Sequence, residues 1–237
     1  MADIQPDNRI ALLPVVLGCN AGYVDTAGFL ALQGLFTAHV TGNFVTLGAA
    51  LVFGTTGVAA KLIALPTFCV VVVLSRVLGR LLADRGRNAA PTLLFVKTLL
   101  LTIGAALAIR LGPFANGDAW QAIITGIPLV AAMAIQNAVQ RVHLSTAPPT
   151  TMMTGTTTQI MIDLGDLLLG RGDAALHNRL RRMIAAVIAF AVGCALAAAL
   201  YATLRTWCFA LPPVLALAAF LIRVRSAPTE IEAARPK

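Results

Sequence analysis

The chain has 237 residues, of which 58% are hydrophobic and 12% charged, with a mean hydropathy of +0.83. Soluble domains carry roughly 25% charged residues, so one soluble core cannot hold this much apolar surface, and the composition specifies an integral membrane protein. The formal net charge of +8 comes from 18 Lys+Arg against 10 Asp+Glu; the basic residues gather between apolar segments, which reads as topogenic charge at a membrane face and excludes a nucleic-acid partner.

Residues 1–9 are polar and acidic and lack the basic n-region of a cleaved signal. They are expected to form a cytoplasmic tail, with the first apolar segment kept in the mature protein. Six apolar segments follow, at 10–33, 61–82, 90–111, 119–139, 182–204 and 206–222. Each approaches the about 20 residues that cross a bilayer as a helix. Two shorter segments, 40–58 and 153–169, remain. The second carries Asp163, Asp166 and the run Thr156–Thr158, too polar for a lipid-facing span. Both are read as re-entrant or broken helices lined by protein. Residues 223–237 are expected to be a disordered cytoplasmic tail.

Each short segment opens on a Thr-Gly motif, His39-Val40-Thr41-Gly42-Asn43 and Met152-Met153-Thr154-Gly155-Thr156. Each motif follows an apolar segment with embedded polar residues, Asn20 and Asp25 in the first case, Gln136 and Asn137 in the second. The two halves overlay at offsets of 111 around Asp25 and Gln136, 113 at the Thr-Gly pairs, and 121 at both Lys61/Arg182 and Pro91/Pro212. The offset changes only in loops, the mark of a duplication. The fold class expected is therefore an all-α integral membrane protein of two repeats, 10–112 and 119–222, joined by a linker at 113–118.

Basic residues choose the topology. With both short segments re-entrant, each half has three spans, and the two faces hold 13 and 3 basic residues, the poor face having only Lys61, Arg110 and Arg205. With both short segments crossing, the split is 11 to 5. Excess Lys and Arg mark the cytoplasmic side, so the first arrangement is preferred, with both termini cytoplasmic. Three spans per half invert the second repeat. The Thr-Gly motifs then enter from opposite faces and meet near the midplane, where solute sites of such folds lie.

Asp25 is the sharpest single position. An ionised Asp within a span costs about 2.5–3.5 kcal/mol on insertion scales, so it faces a polar cavity or a partner. It is read as a proton, cation or ligand site, against the alternative of a packing residue satisfied by a neighbour. Thr41, Gly42, Asn43, Thr154, Gly155 and Thr156 form the second group. Glycine lets the chain turn, threonine hydroxyls can satisfy freed backbone groups, and a half-helix directs its positive end inward. The alternative is close helix packing through small residues. Gln136, Asn137 and Gln140 form a polar stripe that either lines a cavity or links helices. His39 is a proton relay or an interfacial anchor. Lys97 and Arg76 are expected to snorkel to the basic face, and Gly18 and Gly22 form a GxxxG for packing within or between subunits.

Cys19, Cys69, Cys194 and Cys208 lie in apolar segments without metal-ligand spacing, so they read as packing residues. No nucleotide-binding, hydrolase or metalloprotease motif is present, so neither an enzyme, a cofactor nor a metal is expected. The partners expected are the lipid bilayer, an unidentified small solute or ion, and a second copy of the chain.

Residues 21–30, from Ala21-Gly22-Tyr23-Val24-Asp25 to Leu30, and 34–43, ending His39-Val40-Thr41-Gly42-Asn43, resemble the YoaK-like family of bacterial membrane proteins. Ala134-Ile135-Gln136-Asn137-Ala138 and Met153-Thr154-Gly155-Thr156 resemble that family's second motif. Val40 stands where the family has Met, and Ala147-Pro148-Pro149 before the second motif departs from its pattern. The resemblance implies a bacterial cytoplasmic-membrane location and, the family being of unknown function, no substrate. The residues themselves point to a small secondary transporter or channel-like permease coupled through Asp25, with a non-transporting scaffold or sensor subunit as the rival.

Overall fold

The computed structural model describes residues 8–233, with side-chain burial for 12–226. Among the described residues all regular structure is helical, with no strand: α1 Asn8–Ala31, α2 Gly42–Phe53, α3 Val58–Ala83, α4 Ala89–Leu111, α5 Trp120–His143, α6 Met153–Leu168, α7 Ala174–Leu204 and α8 Leu211–Ala233. A single 3-10 turn, Arg205–Ala210, separates α7 from α8. Four stretches are long and apolar enough to cross a membrane: α3, α4, α5, and residues 174–226, which hold α7 and most of α8. The 24 residues of α1 are long enough as well, but Asn20 and Asp25 dilute its apolar character and it is not in that set.

Polar pattern decides which helices sit at the centre. A polar group facing lipid has no partner, so helices that carry such groups must be enclosed. α1 buries Asn20 and Asp25, and α5 buries Thr125, Gln136 and Gln140. The apolar window of α5 is 72% buried against 22% for α3. The outer helices α3, α4, α7 and α8 turn residues such as Val70, Val73, Leu99, Ile188 and Val214 outward.

α1 and α7 run parallel through a glycine seam. Gly18 faces Ala186 and Ala189, and Gly22 faces Phe190 and Cys194. A Cβ on Gly22 would collide with the Phe190 carbonyl, and one on Gly193 with the Cys19 carbonyl. The GxxxG pair is therefore spent on packing within the subunit. α3 and α5 are parallel too, since Ser75 and Gly79 line a surface pocket with Ala138 and His143.

Contacts at one end of the bundle fix the course of α2. Lys61 Nζ donates to Gln33 O at 2.8 Å, and Gln33 Nε2 donates to Phe114 O at 2.9 Å. Asp118 accepts from Gly57 N at 2.8 Å and Ala59 N at 2.7 Å, capping α3. The end of α1, the start of α3 and the α4–α5 loop thus lie together. The loop after α1 turns back down to Asp25, two turns below the helix end, before α2 returns to the end it left.

Three expectations change. α2 and α6 are not lined by protein on all sides: Phe44, Val45, Leu51, Val52 and Phe53 on α2, and Met161, Ile162 and Leu168 on α6, are exposed. The cause is that α2 packs on α3 and α6 on α7, each through one narrow face. α7 begins at Ala174, eight residues before the expected 182, because Asp173 caps it, accepting from Leu176 N at 2.7 Å. α8 continues past Arg223 to Ala233, whereas a disordered tail was expected from 223; residues 234–237 lie outside the described residues.

Candidate functional site

Asp25 organises the first motif. Its Oδ1 accepts from the backbone N–H of Thr37 and Ala38, both at 2.7 Å, and from Thr37 Oγ1 at 3.3 Å. Its Oδ2 lies 2.7 Å from His39 Nδ1. A carboxylate of this kind replaces the water that the loop amides would otherwise need. His39 lies in the loop, outside the spanning helices, and the hydrogen bond to Asp25 raises its imidazole above the ordinary value. Its ring also meets the backbone of Thr151, from the other half of the chain.

In the second half, Gln136 holds the neighbouring loop with an amide where Asp25 uses a carboxylate. Gln136 Nε2 donates to Leu17 O at 2.9 Å and to Thr150 Oγ1 at 3.0 Å. Thr151 Oγ1 donates to Asn137 Oδ1 at 2.7 Å. Where Asp25 has His39, Gln136 has Lys97, whose ammonium donates to Gln136 Oε1 at 2.6 Å. Lys97 is 0% exposed, so it does not snorkel; α4 presents it toward the α1–α5 centre, out of reach of the basic face.

The two Thr-Gly loops come together. One cavity of about 290 Å³ is lined by His39, Val40 and Thr41 from the first and Thr151, Met152, Met153, Thr154 and Gly155 from the second, with Asn137, Ala38, Leu65 and Phe68 completing the wall. Thr41 makes no side-chain cap to α2, and α6 likewise starts without one. A second cavity of about 460 Å³ lies on the other side of His39 and is lined by Asp25, Thr26, Phe29, Phe36, Gly42, Phe190 and Cys194. His39 lines both cavities.

Of the residues singled out in the sequence, Thr41, Asn137, Thr154 and Gly155 line the inter-loop cavity, and Asp25 and Gly42 the second one. Asn43 and Thr156 reach neither. Asn43 braces its own loop, accepting from Phe36 N at 2.9 Å and donating to Phe36 O at 2.8 Å. Thr156 Oγ1 donates to Met152 O at 2.9 Å. Gln136 is fully buried behind Thr150. Sequence reasoning missed Thr37, Thr150 and Thr151. The first two share the offset of 113 that relates the Thr-Gly pairs, and that overlay was the available signal.

Four stretches are long and apolar enough to cross a membrane, and the mainly apolar core includes buried polar side chains such as Asn20, Asp25, Lys97 and Gln136, the make-up of a helical membrane protein. The chain belongs to the family described as Protein of unknown function (DUF1275), whose model matches residues 13–222; this is the YoaK-like family. No curated protein and no solved structure matches it.

Proposed function

We propose that the protein is a multi-pass permease of the bacterial cytoplasmic membrane, moving a small solute or ion through the chamber between its two Thr-Gly loops. The observation that carries this reading is the cavity walled by both motifs at once. Close packing of the two loops alone would leave no cleft between them, whereas a solute site needs one.

The same reading takes the chain as two inverted repeats. Supporting it, α1 pairs in parallel with α7, as α5 does with α3. Asp25 binds Thr37 as Gln136 binds Thr150. The ends of α1 and α3 that flank α2 meet at one end of the bundle, so α2 enters and leaves by one face. The parallel of α7 with α1 puts the start of α7 at the other end, where α5 finishes, and α6 then enters from there. Arg80, Arg85, Arg87 and Arg141 fall at that second end and Lys61, Arg110 and Arg205 at the first, which makes the second end cytoplasmic. Asp25 and His39 form the proton-titratable unit, and no covalent chemistry is assigned to the chain.

A specific observation favours the rival scaffold reading: Asn43, Thr156 and Oδ1 of Asp25 are all engaged in holding loops. Reconstituted vesicles separate the two. Osmotic shrinkage and an internal pH dye would follow a panel of small solutes and ions. The permease reading expects flux above protein-free vesicles, reduced in Gly155→Leu, which adds bulk at the cavity wall. Absence of flux for every solute, with the protein folded, would favour the scaffold.

A further inference from the structure

The larger cavity has a composition unlike the rest of the molecule. Phe29 and Phe36 stand with ring centroids 5.0 Å apart, Phe36 and His39 at 6.4 Å, and His39 and Phe190 at 5.4 Å. These rings come from α1, the following loop and α7, and they border the Asp25 carboxylate. Among the described residues no Lys or Arg lines the cavity; Asp25 and His39 are its charged or chargeable groups, with the Cys194 thiol from α7 as the remaining titratable one. Aromatic faces attract cations, most strongly where water is excluded, and a volume of about 460 Å³ suits a small organic molecule. A single carboxylate amid phenyl rings is too poor in oxygen to hold a hard metal ion.

We propose that this cavity binds a monovalent organic cation of the alkylammonium or quaternary ammonium class, and that binding expels the proton held between Asp25 and His39. Two positive charges beside one carboxylate repel each other, so the cation and the imidazolium compete for Asp25. The imidazolium can leave as a charge by giving its N–H proton to water. The bound cation then neutralises Asp25, which keeps its hydrogen bonds from Thr37 and Ala38. Cation plus imidazolium–carboxylate becomes cation–carboxylate, neutral imidazole and a released proton, so charge and atoms balance. The thiol of Cys194 takes no part. This deepens the permease reading, on which it rests for any role in exchange transport, but binding alone tests it.

The test is calorimetric titration of the purified full-length protein with benzyltrimethylammonium, in two buffers of different ionisation enthalpy. The expected result is release approaching about one proton per cation when His39 is protonated, with affinity falling about tenfold for each unit by which the pH is lowered in that range. Asp25→Asn keeps the Oδ1 acceptor and should lose binding. His39→Gln should bind without proton release or pH dependence. Phe36→Leu, which leaves the carboxylate untouched, should weaken binding about fivefold and keeps the test valid if Asp25→Asn does not fold. Loss of probe binding in nanodiscs of choline lipid, but not of phosphatidylglycerol, would show the same chemistry supplied by a lipid headgroup. No binding, binding unchanged by Asp25→Asn and Phe36→Leu, or binding without proton release at pH 5 would overturn the proposal. Cation binding without flux in vesicles would instead leave it standing and reject the permease reading, and flux of another solute without cation binding would do the reverse.

Discussion

Lys97 donates its ammonium to the side-chain oxygen of Gln136 at 2.6 Å, with both residues 0% exposed. Among the described residues no carboxylate lies within ion-pair range of it. The position equivalent to Gln136 in the first half is Asp25, which has an imidazole partner in place of an ammonium. The offset of 111 thus sets a carboxylate with an imidazole partner against an amide with a buried lysine amine.

This pairing separates the stability of Lys97 from its use. Gln136→Leu leaves the buried Lys97 amine without its hydrogen bond and should cost about 1–3 kcal/mol. Lys97→Met removes the charge and keeps the volume, so its melting temperature in detergent should match or exceed that of the wild type. If Lys97→Met melts as early as Gln136→Leu, the ammonium is structural in a way this geometry does not explain.

A pH effect is expected at α6. Arg179 donates to both oxygens of Asp163, at 2.9 Å and 2.6 Å, and Gln159 adds a third bond at 2.8 Å. The guanidinium holds the Asp163 carboxyl below its ordinary value. A depressed carboxyl contributes stability above the unfolded-state value and loses it as pH falls through the folded one. Asp163→Asn should therefore loosen α6 at pH 7, seen as faster amide exchange over 153–168, and the difference from wild type should vanish as pH falls below the ordinary range for aspartate.

The α1–α7 seam should be intolerant of a methyl group. Gly22→Ala meets the Phe190 backbone, which cannot step aside without moving α7. The expected cost is about 1–3 kcal/mol. Gly48→Ala, inside α2 with nothing within 4 Å, should instead gain about 0.8 kcal/mol from helix propensity. Thermal melting of the two variants in detergent gives the comparison directly.

Asn43 offers a way to tell bracing from binding. Asn43→Ala should remove two hydrogen bonds to Phe36 and cost about 1–3 kcal/mol in stability. Thr154→Ala, at the chamber wall, should leave melting nearly unchanged and alter flux. A reversal of these two outcomes would move the solute contact from Thr154 to Asn43.

Much of the architecture was legible because insertion in lipid leaves few choices: six long helices, two short ones, and the polar pair α1 and α5 at the centre. Apolar length gave the helices, and embedded Asn20, Asp25 and Gln136 marked those that needed enclosure. The site was less legible, because its contacts join residues far apart in the chain. Nothing near Asp25 in sequence predicts Phe190 beside it, and nothing near Lys97 predicts Gln136. Lys97 read as snorkelling because depth can be counted along a helix but direction cannot. The sequence leaves His39 open between relay and anchor for the same reason: its place beside two cavities depends on a loop that folds back on α1.

The proposed chamber depends on α2 and α6 entering from opposite faces of the membrane. Single cysteines at Gly54, just after α2, and Gly170, just after α6, test this in a cysteine-free background; nothing lies within 4 Å of an added Cβ at either site, and the left-handed φ of each (66° and 74°) costs about 1–2 kcal/mol once a side chain is present. A membrane-impermeant thiol reagent would be applied to intact and to permeabilised cells. The account predicts that the Gly54 position labels in intact cells and the Gly170 position only after permeabilisation. Labelling of both from the same side would contradict the inverted arrangement and with it the meeting of the two loops as a transmembrane path.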